Sequence, residues 1–217
     1  MERASEEYKS EEAVDRFVGK AWIKKRKRDK YYRAAKRENY RSRAAFKLIQ
    51  IQERFNIIAP ASKVLDLGAS PGGWSQIAKE LVGDNGVVYA ADIVGMTSID
   101  GITFLRGDLR EEEFLEEIVS TCGTVDVVLS DMAPKLSGAK SYDQARAMDL
   151  AGIAFKVAQT CLKAGGNFVT KAFRGEDFDR FLSGVAASFW MVRAYSPPAT
   201  TKGSAEVYVV ARGFRPG

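Results

Sequence analysis

Residues 66–76 read Asp66-Leu67-Gly68-Ala69-Ser70-Pro71-Gly72-Gly73-Trp74-Ser75-Gln76, and the fold follows from what bounds them. Ahead lies a short apolar run, Lys63–Leu67; behind, residues 74–82 carry helical spacing. A strand that breaks at glycine and restarts as a helix is the first half of a βαβ unit. The glycines let the backbone turn tightly and approach a ligand with no Cβ in the way, while Pro71 stiffens the turn. Ser70 stands third in the Gly68 turn, so this is not G-x-G-x-x-G. Nor is there a G-x-x-x-x-G-K-[ST] run, which excludes a P-loop.

Downstream the same alternation continues. Strands are predicted at Val87–Ala91, Thr103–Leu105, Val125–Ser130 and Asn167–Lys171, with helices at 74–82, 111–121, 143–163 and 176–188. Most of the strands are near-continuous apolar runs, as a parallel sheet covered on both faces requires. Two more strands, 189–195 and 206–212, close the chain. The ten residues between them, Ser196–Ala205, are too short a connection for a helical crossover, so these two are expected to run antiparallel. Upstream, Ala44, Ala45, Leu48, Ile49 and Phe55 give helical spacing over about 29–56, which Pro60 stops. The reading is α/β: one doubly wound domain over 29–217, comprising a basic helical extension (29–60) and a core (61–217), behind a flexible charged tail (1–28).

The chain has 217 residues and a net charge of +5, unevenly spread. Residues 1–19 sum to −3, residues 20–47 to +11 and residues 48–217 to −3. Nearly all the basicity is therefore one block, and it interleaves Trp22, Tyr31, Tyr32, Tyr40 and Phe46. Cations among rings suit a phosphate backbone and unstacked bases, although some of these rings could instead pin the segment to the core. A membrane surface fits less well, because no apolar stripe opposes the charges. No stretch is long and apolar enough to span a bilayer, and the N-terminus has no apolar leader, so a cytoplasmic protein is expected. The chain contains 0 His, which removes Ser-His-Asp and Cys-His machinery, and no metal is expected. Cys122 and Cys161 sit among apolar neighbours and read as buried thiols.

Two acids complete the ligand site. Asp92 ends the second strand, placed to accept the hydroxyls of a ribose, and Asp108 follows the third, placed to accept from an exocyclic amine. A glycine loop with two such acids and no phosphate cradle describes an adenosine pocket, and favours S-adenosylmethionine over NAD. Asp131 and Lys171 end strands four and five and project at the sheet's carboxyl edge, where open α/β sheets bind ligands. Glu206 begins the last strand. Each has a bland alternative alone: a turn cap, a snorkelling lysine, a surface ion pair.

The run from Tyr40 to Leu48, then DLGASPGGWSQ (66–76), SDMAPKLSG (130–138), VTKAF (169–173) and AEVYVVA (205–211) resembles the FtsJ/RrmJ family of RNA 2′-O-ribose methyltransferases. The resemblance covers residues 30 to 212 in order. It implies a Rossmann-like class I methyltransferase fold, a seven-stranded mostly parallel sheet with an antiparallel last strand. It also implies a catalytic tetrad at Lys47, Asp131, Lys171 and Glu206, and S-adenosylmethionine contacts at Gly72, Trp74, Asp92, Asp108 and Asp131. Lys171 would meet the ribose hydroxyl, either taking its proton or, as a cation, stabilising the developing alkoxide; the sequence leaves both open. Lys47 would cap the cleft from the RNA side.

The implied substrate is ribosomal RNA or the large ribosomal subunit, at a uridine, with the protein a monomer. Alternatives are a tRNA 2′-O-methyltransferase and a non-catalytic RNA-binding or ribosome-assembly module. Lys135 stands where bacterial members carry Asn, and Thr200-Thr201-Lys202 where Ser-Arg is expected. Both departures bear on substrate choice more than on chemistry.

The adenosine reading predicts S-adenosylmethionine binding in the micromolar range, about −8 kcal/mol, strongly weakened by Asp92→Ala. Calorimetry showing tight NAD binding and no response to S-adenosylmethionine would sink it.

Overall fold

The computed structural model describes residues 29–135, 137–201 and 203–217. The expected tail at 1–28, with Trp22 and the first part of the basic block, lies outside these residues, as do Leu136 and Lys202.

Thirteen elements follow in chain order: α1 (Lys30–Arg37), α2 (Ala45–Phe55), β1 (Lys63–Leu67), α3 (Gly73–Val82), β2 (Val87–Asp92), β3 (Ile102–Arg106), α4 (Glu112–Cys122), β4 (Val125–Ser130), α5 (Lys140–Cys161), β5 (Leu162–Phe173), α6 (Phe178–Ala187), β6 (Phe189–Tyr195) and β7 (Glu206–Phe214). The strands form one seven-stranded sheet in the order β3-β2-β1-β4-β5-β7-β6. β7 runs antiparallel to both its neighbours, β5 and β6, and the remaining pairs are parallel. The order reverses between β1 and β4, which opens a crevice beyond their carboxyl ends.

Strand residues alternate between two cores, as the pleat demands. Leu65, Val128, Phe168, Val207 and Val209 face α4, α5 and α6 on one side, where Cys122 and Cys161 are buried as free thiols. Val64, Val127, Leu129, Val169, Tyr208 and Val210 face α2 and α3 on the other. α2 belongs fully to that second core, since Ala45, Leu48 and Ile51 are each 0% exposed.

The structure differs from the sequence reading in two places. The helix expected over 29–56 is two helices. Asn39 takes a left-handed φ of 57°, and residues 40–44 are claimed by other parts of the chain: Tyr40 packs edge-on to Phe46, and the Arg41 amide donates to Gln76 Oε1. α2 ends at Phe55, within the bound read from the sequence; Asn56 is left-handed, and Gln52 Oε1 accepts from the amides of both Ile57 and Ile58 at 2.9 Å. Finally, β5 begins at Leu162, because Gly165 and Gly166 form an irregular strand start instead of a turn, with a register shift opposite Val125 and Val127.

Because Ile51 closes the core beneath α2, Ile51→Ala should destabilise the whole domain by about 2–5 kcal/mol in denaturant unfolding. A loss confined to α2, with an unchanged global midpoint, would show instead that α2 is an appendage.

Candidate functional site

The loop after β1 turns at Gly68, with φ +72°, where a Cβ would collide with the side chain of Met132. Gly72 caps α3 with φ +104°, packed against Ile99, Arg41 and Met96. The loop is tied to the end of β2: the Gly68 amide donates to Ala91 O at 2.8 Å, and the Ser70 amide to Asp92 Oδ2 at 2.9 Å. Asp92 Oδ1 accepts from the Val94 amide at 2.8 Å, and Asp108 Oδ1 from the Arg110 amide at 3.0 Å. A carboxylate has about four acceptor positions, so both acids keep lone pairs for a ligand.

Beyond the carboxyl ends of β1, β2 and β4 lies a cavity of about 800 Å³, lined by Gly68, Ser70, Asp92, Asp108, Asp131 and Lys171 among others. Ile93, Leu109, Met132 and Ile153 give it apolar walls between those acids. Gly72 and Trp74 are not among its lining residues. Trp74 is 2% exposed, donates its indole N–H to Ala44 O at 2.8 Å and packs against Tyr208, so it braces the loop from behind. No group of His, Cys, Asp and Glu among the described residues is arranged to hold a metal ion, and none of their helices is long and apolar enough to cross a membrane.

The four charged residues singled out in the sequence converge beside this cavity. Lys171 Nζ donates to Asp131 Oδ1 at 2.8 Å and to Asp131 O at 2.5 Å. Lys47 Nζ lies 2.8 Å from Glu206 Oε1 and 3.8 Å from Asp131 Oδ1. Asp131 and Lys171 line the cavity, whereas Lys47 and Glu206 reach the cluster without being among the cavity's lining residues.

The piece that joins the pairs is Tyr208, which the sequence reading passed over. Its hydroxyl donates to Asp131 Oδ1 at 2.5 Å, accepts from Lys47 at 3.0 Å and lies 3.3 Å from Glu206 Oε1. The available signal was period two: Glu206 and Tyr208 share a face of β7, and Tyr208 pairs directly with Lys171 across β5. A phenol amid Val207, Val209 and Val210 reads as core, and its ring is core.

Burial alone would raise the Asp131 carboxyl, but the charges of Lys171 and Lys47, with the hydrogen bonds from Lys171 and Tyr208, hold it below the ordinary carboxylate value. Burial, followed by the negative charges of Asp131 and Glu206, lifts the Tyr208 hydroxyl well above the usual phenol value, which keeps it a donor.

The basic block divides. Lys30, Arg33, Lys36 and Arg37 lie exposed on α1, while Arg41, Arg43 and Lys47 turn inward. The Arg41 guanidinium donates to Thr97 O at 2.5 Å, Ser98 O at 2.7 Å and Pro71 O at 3.3 Å. Arg43 pairs with Asp29 and also donates to Ala199 O. Among the rings, Tyr31 and Tyr40 both pack on Phe46 and pin the segment to the body.

Behind the loop, Asp66 is 1% exposed; Oδ2 accepts from Ser75 Oγ at 2.6 Å and Oδ1 has no partner. Burial pushes its carboxyl up to about 7; the Ser75 hydrogen bond opposes the rise, and Asp131 and Asp92 add to it. An unfolded Asp titrates near ~3.9, so over the interval up to about 7 the native state binds more protons and stability falls as pH rises. Asp66→Asn should therefore gain on the wild type between pH 5 and pH 8, by on the order of 2–3 kcal/mol in paired urea unfolding curves. Parallel stability–pH curves would refute the assignment.

Comparison with known proteins agrees with this geometry. The family model described as FtsJ-like methyltransferase matches residues 40–214. The ribosomal RNA large subunit methyltransferase E of Pseudomonas fluorescens is 42% identical over 196 residues, 89% of this chain and 94% of that protein. The protein of the same name from Methanothrix thermoacetophila is 46% identical over 186 residues, 85% of this chain and 72% of its own length. A Plasmodium falciparum structure described as a ribosomal RNA methyltransferase superposes with a TM-score of 0.72 at 25% identity, covering 82% of this chain and 100% of its own. The matched region takes in the glycine loop, the cavity and all four charged residues, and the chain belongs to the FtsJ-like methyltransferase family.

Proposed function

We propose that this protein methylates a ribose 2′-hydroxyl, at a uridine of large-subunit ribosomal RNA. The observation that carries the reading is the cluster of Lys47, Asp131, Lys171 and Glu206 around Tyr208, at the wall of a cavity that fits a nucleoside. Relatives covering most of the chain are named for large-subunit ribosomal RNA, which supports the substrate class.

The methyl donor is S-adenosylmethionine, which supplies a methyl already activated by a sulfonium. The cavity suits it: acids at Asp92 and Asp108 for ribose and adenine, apolar walls for the ring, and the Asp131 carboxylate to face a cation. Gly72 and Trp74 contribute through the loop they hold in shape. The residues then have two tasks, alignment and proton handling. Lys171 lines the cavity where the hydroxyl proton and the developing oxyanion charge must both be met. Asp131 fixes Lys171 through two contacts, Lys47 and Tyr208 fix Asp131, and Glu206 holds Lys47 and Tyr208. The exposed cations of α1, with the basic residues preceding them, are read as phosphate contacts that bring RNA to this edge. The domain acts as a monomer in the cytoplasm, where ribosomal RNA is its partner.

Lys171→Ala should lower methyl transfer by about 100-fold or more, with S-adenosylmethionine binding retained. Asp131→Ala should be as severe and also weaken cofactor binding, whereas Glu206→Ala and Lys47→Ala should cost less, with non-additive combinations. Near-normal single-turnover transfer by Lys171→Ala at saturating RNA would overturn the role. Mass-spectrometric mapping of 2′-O-methyl positions in total RNA, with and without the protein, tests the substrate. Loss of a mark in tRNA alone would move the assignment there.

A further inference from the structure

The loop after β4 and the first turns of α5 carry a second group of cations that the methyl-transfer machinery leaves unused. Lys135 and Arg146 both line the cavity, on the side of the sheet that α5 covers, whereas α1 and α2 lie over the opposite face. The loop is fastened from beneath. Asp143 is 6% exposed and accepts from the Ser137 amide and hydroxyl at 2.8 Å each and from the Gly138 amide at 3.1 Å. One turn along, Arg146 donates to Lys135 O at 3.2 Å.

What this fastening leaves outside is specific. The Lys135 ammonium forms no hydrogen bond or ion pair with any described residue. Tyr142 is 56% exposed, and the Arg146 guanidinium lies 5.6 Å from its ring centroid. Arg146 spends its hydrogen bond on the loop backbone and forms no ion pair with a described carboxylate. The loop and the first turns of α5 thus leave at the surface an ammonium with no partner among the described residues and an exposed ring backed by Arg146, which donates to the Lys135 carbonyl. An aromatic face next to a free cation matches one nucleotide of single-stranded RNA, the base on the ring and its phosphate on the ammonium.

We infer that Lys135, Tyr142 and Arg146 form an RNA subsite for a nucleotide flanking the methylated one, on the far side of the cavity from α1. This rests on the RNA-methylating reading above. RNA would then cross the carboxyl edge of the sheet and be gripped on both sides of it, with the target ribose between the grips at Asp131 and Lys171. Tyr142 supplies stacking, Lys135 charge, and Arg146 holds both in place.

The test uses the full-length protein with a transcribed large-subunit RNA fragment and, separately, with large ribosomal subunits, reading direct RNA binding, RNA KM and kcat. Tyr142→Ala should weaken RNA binding about 5-fold or more, the loss of one stacked base, and Tyr142→Phe should restore it. Lys135→Ala should reduce the slope of log affinity against log salt by about 0.7, one phosphate contact, while Tyr142→Ala leaves that slope unchanged. Both losses should appear in RNA affinity and KM, and Tyr142→Ala, at a residue outside the cavity lining, should leave the dissociation constant for S-adenosylmethionine unmoved. Unaltered RNA affinity and salt slope in both variants would overturn the subsite. So would a fall in kcat without a change in RNA affinity, which would mean the loop only shapes the cavity. Weakened binding to whole subunits with unchanged binding to the naked fragment would point to a protein contact and equally refute it. If the wild type transfers no methyl but Tyr142→Ala still weakens RNA binding, the methylation reading fails while Tyr142 stands as an RNA contact.

Discussion

Three contacts fall on one oxygen, Asp131 Oδ1: Lys171 at 2.8 Å, the Tyr208 hydroxyl at 2.5 Å and, more distantly, Lys47 at 3.8 Å. A buried carboxylate without partners costs several kcal/mol, and so does a buried ammonium. Lys47 is 8% exposed and Lys171 7%, so neither lysine would be tolerated alone at this depth. The two cations and two anions therefore stabilise one another as a neutral set, and the phenol lets four charges share the corner without a direct contact between every pair. The sheet order is what makes such a set possible. Placing the antiparallel β7 beside β5 brings Glu206 and Tyr208 back to the edge where β4 and β5 deliver Asp131 and Lys171.

The same constraint explains why the extension cannot be separated from the core. Lys47 reaches the cluster only because α2 lies over β1 and β7, and α2 is fixed by Leu48 and Ile51 beneath it and by the Trp74 bond to Ala44 O. Arg41 then joins the cofactor-side loop to residues 97 and 98 through carbonyl oxygens. Part of what looks in composition like a nucleic-acid surface is thus internal scaffolding. The exposed remainder on α1 is narrower than the charge count suggests.

Much of this was legible in residues. Near-continuous apolar runs with Gly, Asp or Ser boundaries located most of the strands, because burial on both faces leaves little freedom in what a strand may contain. Lys47, Asp131, Lys171 and Glu206 were legible through motif resemblance, and three of them also through their strand ends. Tyr208 was not, since a buried phenol and a buried hydrophobe occupy the same pattern until its hydroxyl finds a partner. The break at Asn39 was equally hidden: the local spacing is helical, and what interrupts it are partners such as Gln76, far along the chain. Nor does any local signal show that Trp74 braces the loop from behind instead of lining the cavity.

Lys47 and Tyr208 are 161 positions apart, and Arg43 reaches Ala199 across 156. The earliest described helices are therefore completed by the latest strand. During synthesis the glycine loop and the first parallel strands can form while β7 is still inside the ribosome, but the charged corner cannot. Until Glu206 and Tyr208 emerge, Lys47 lacks its nearer carboxylate and Asp131 its hydroxyl donor, so a nascent or C-terminally shortened chain carries a nucleoside cavity without a finished reaction centre. Contacts of such separation also slow the final closure of the fold, because the chain entropy of the whole intervening loop must be given up before any of them forms.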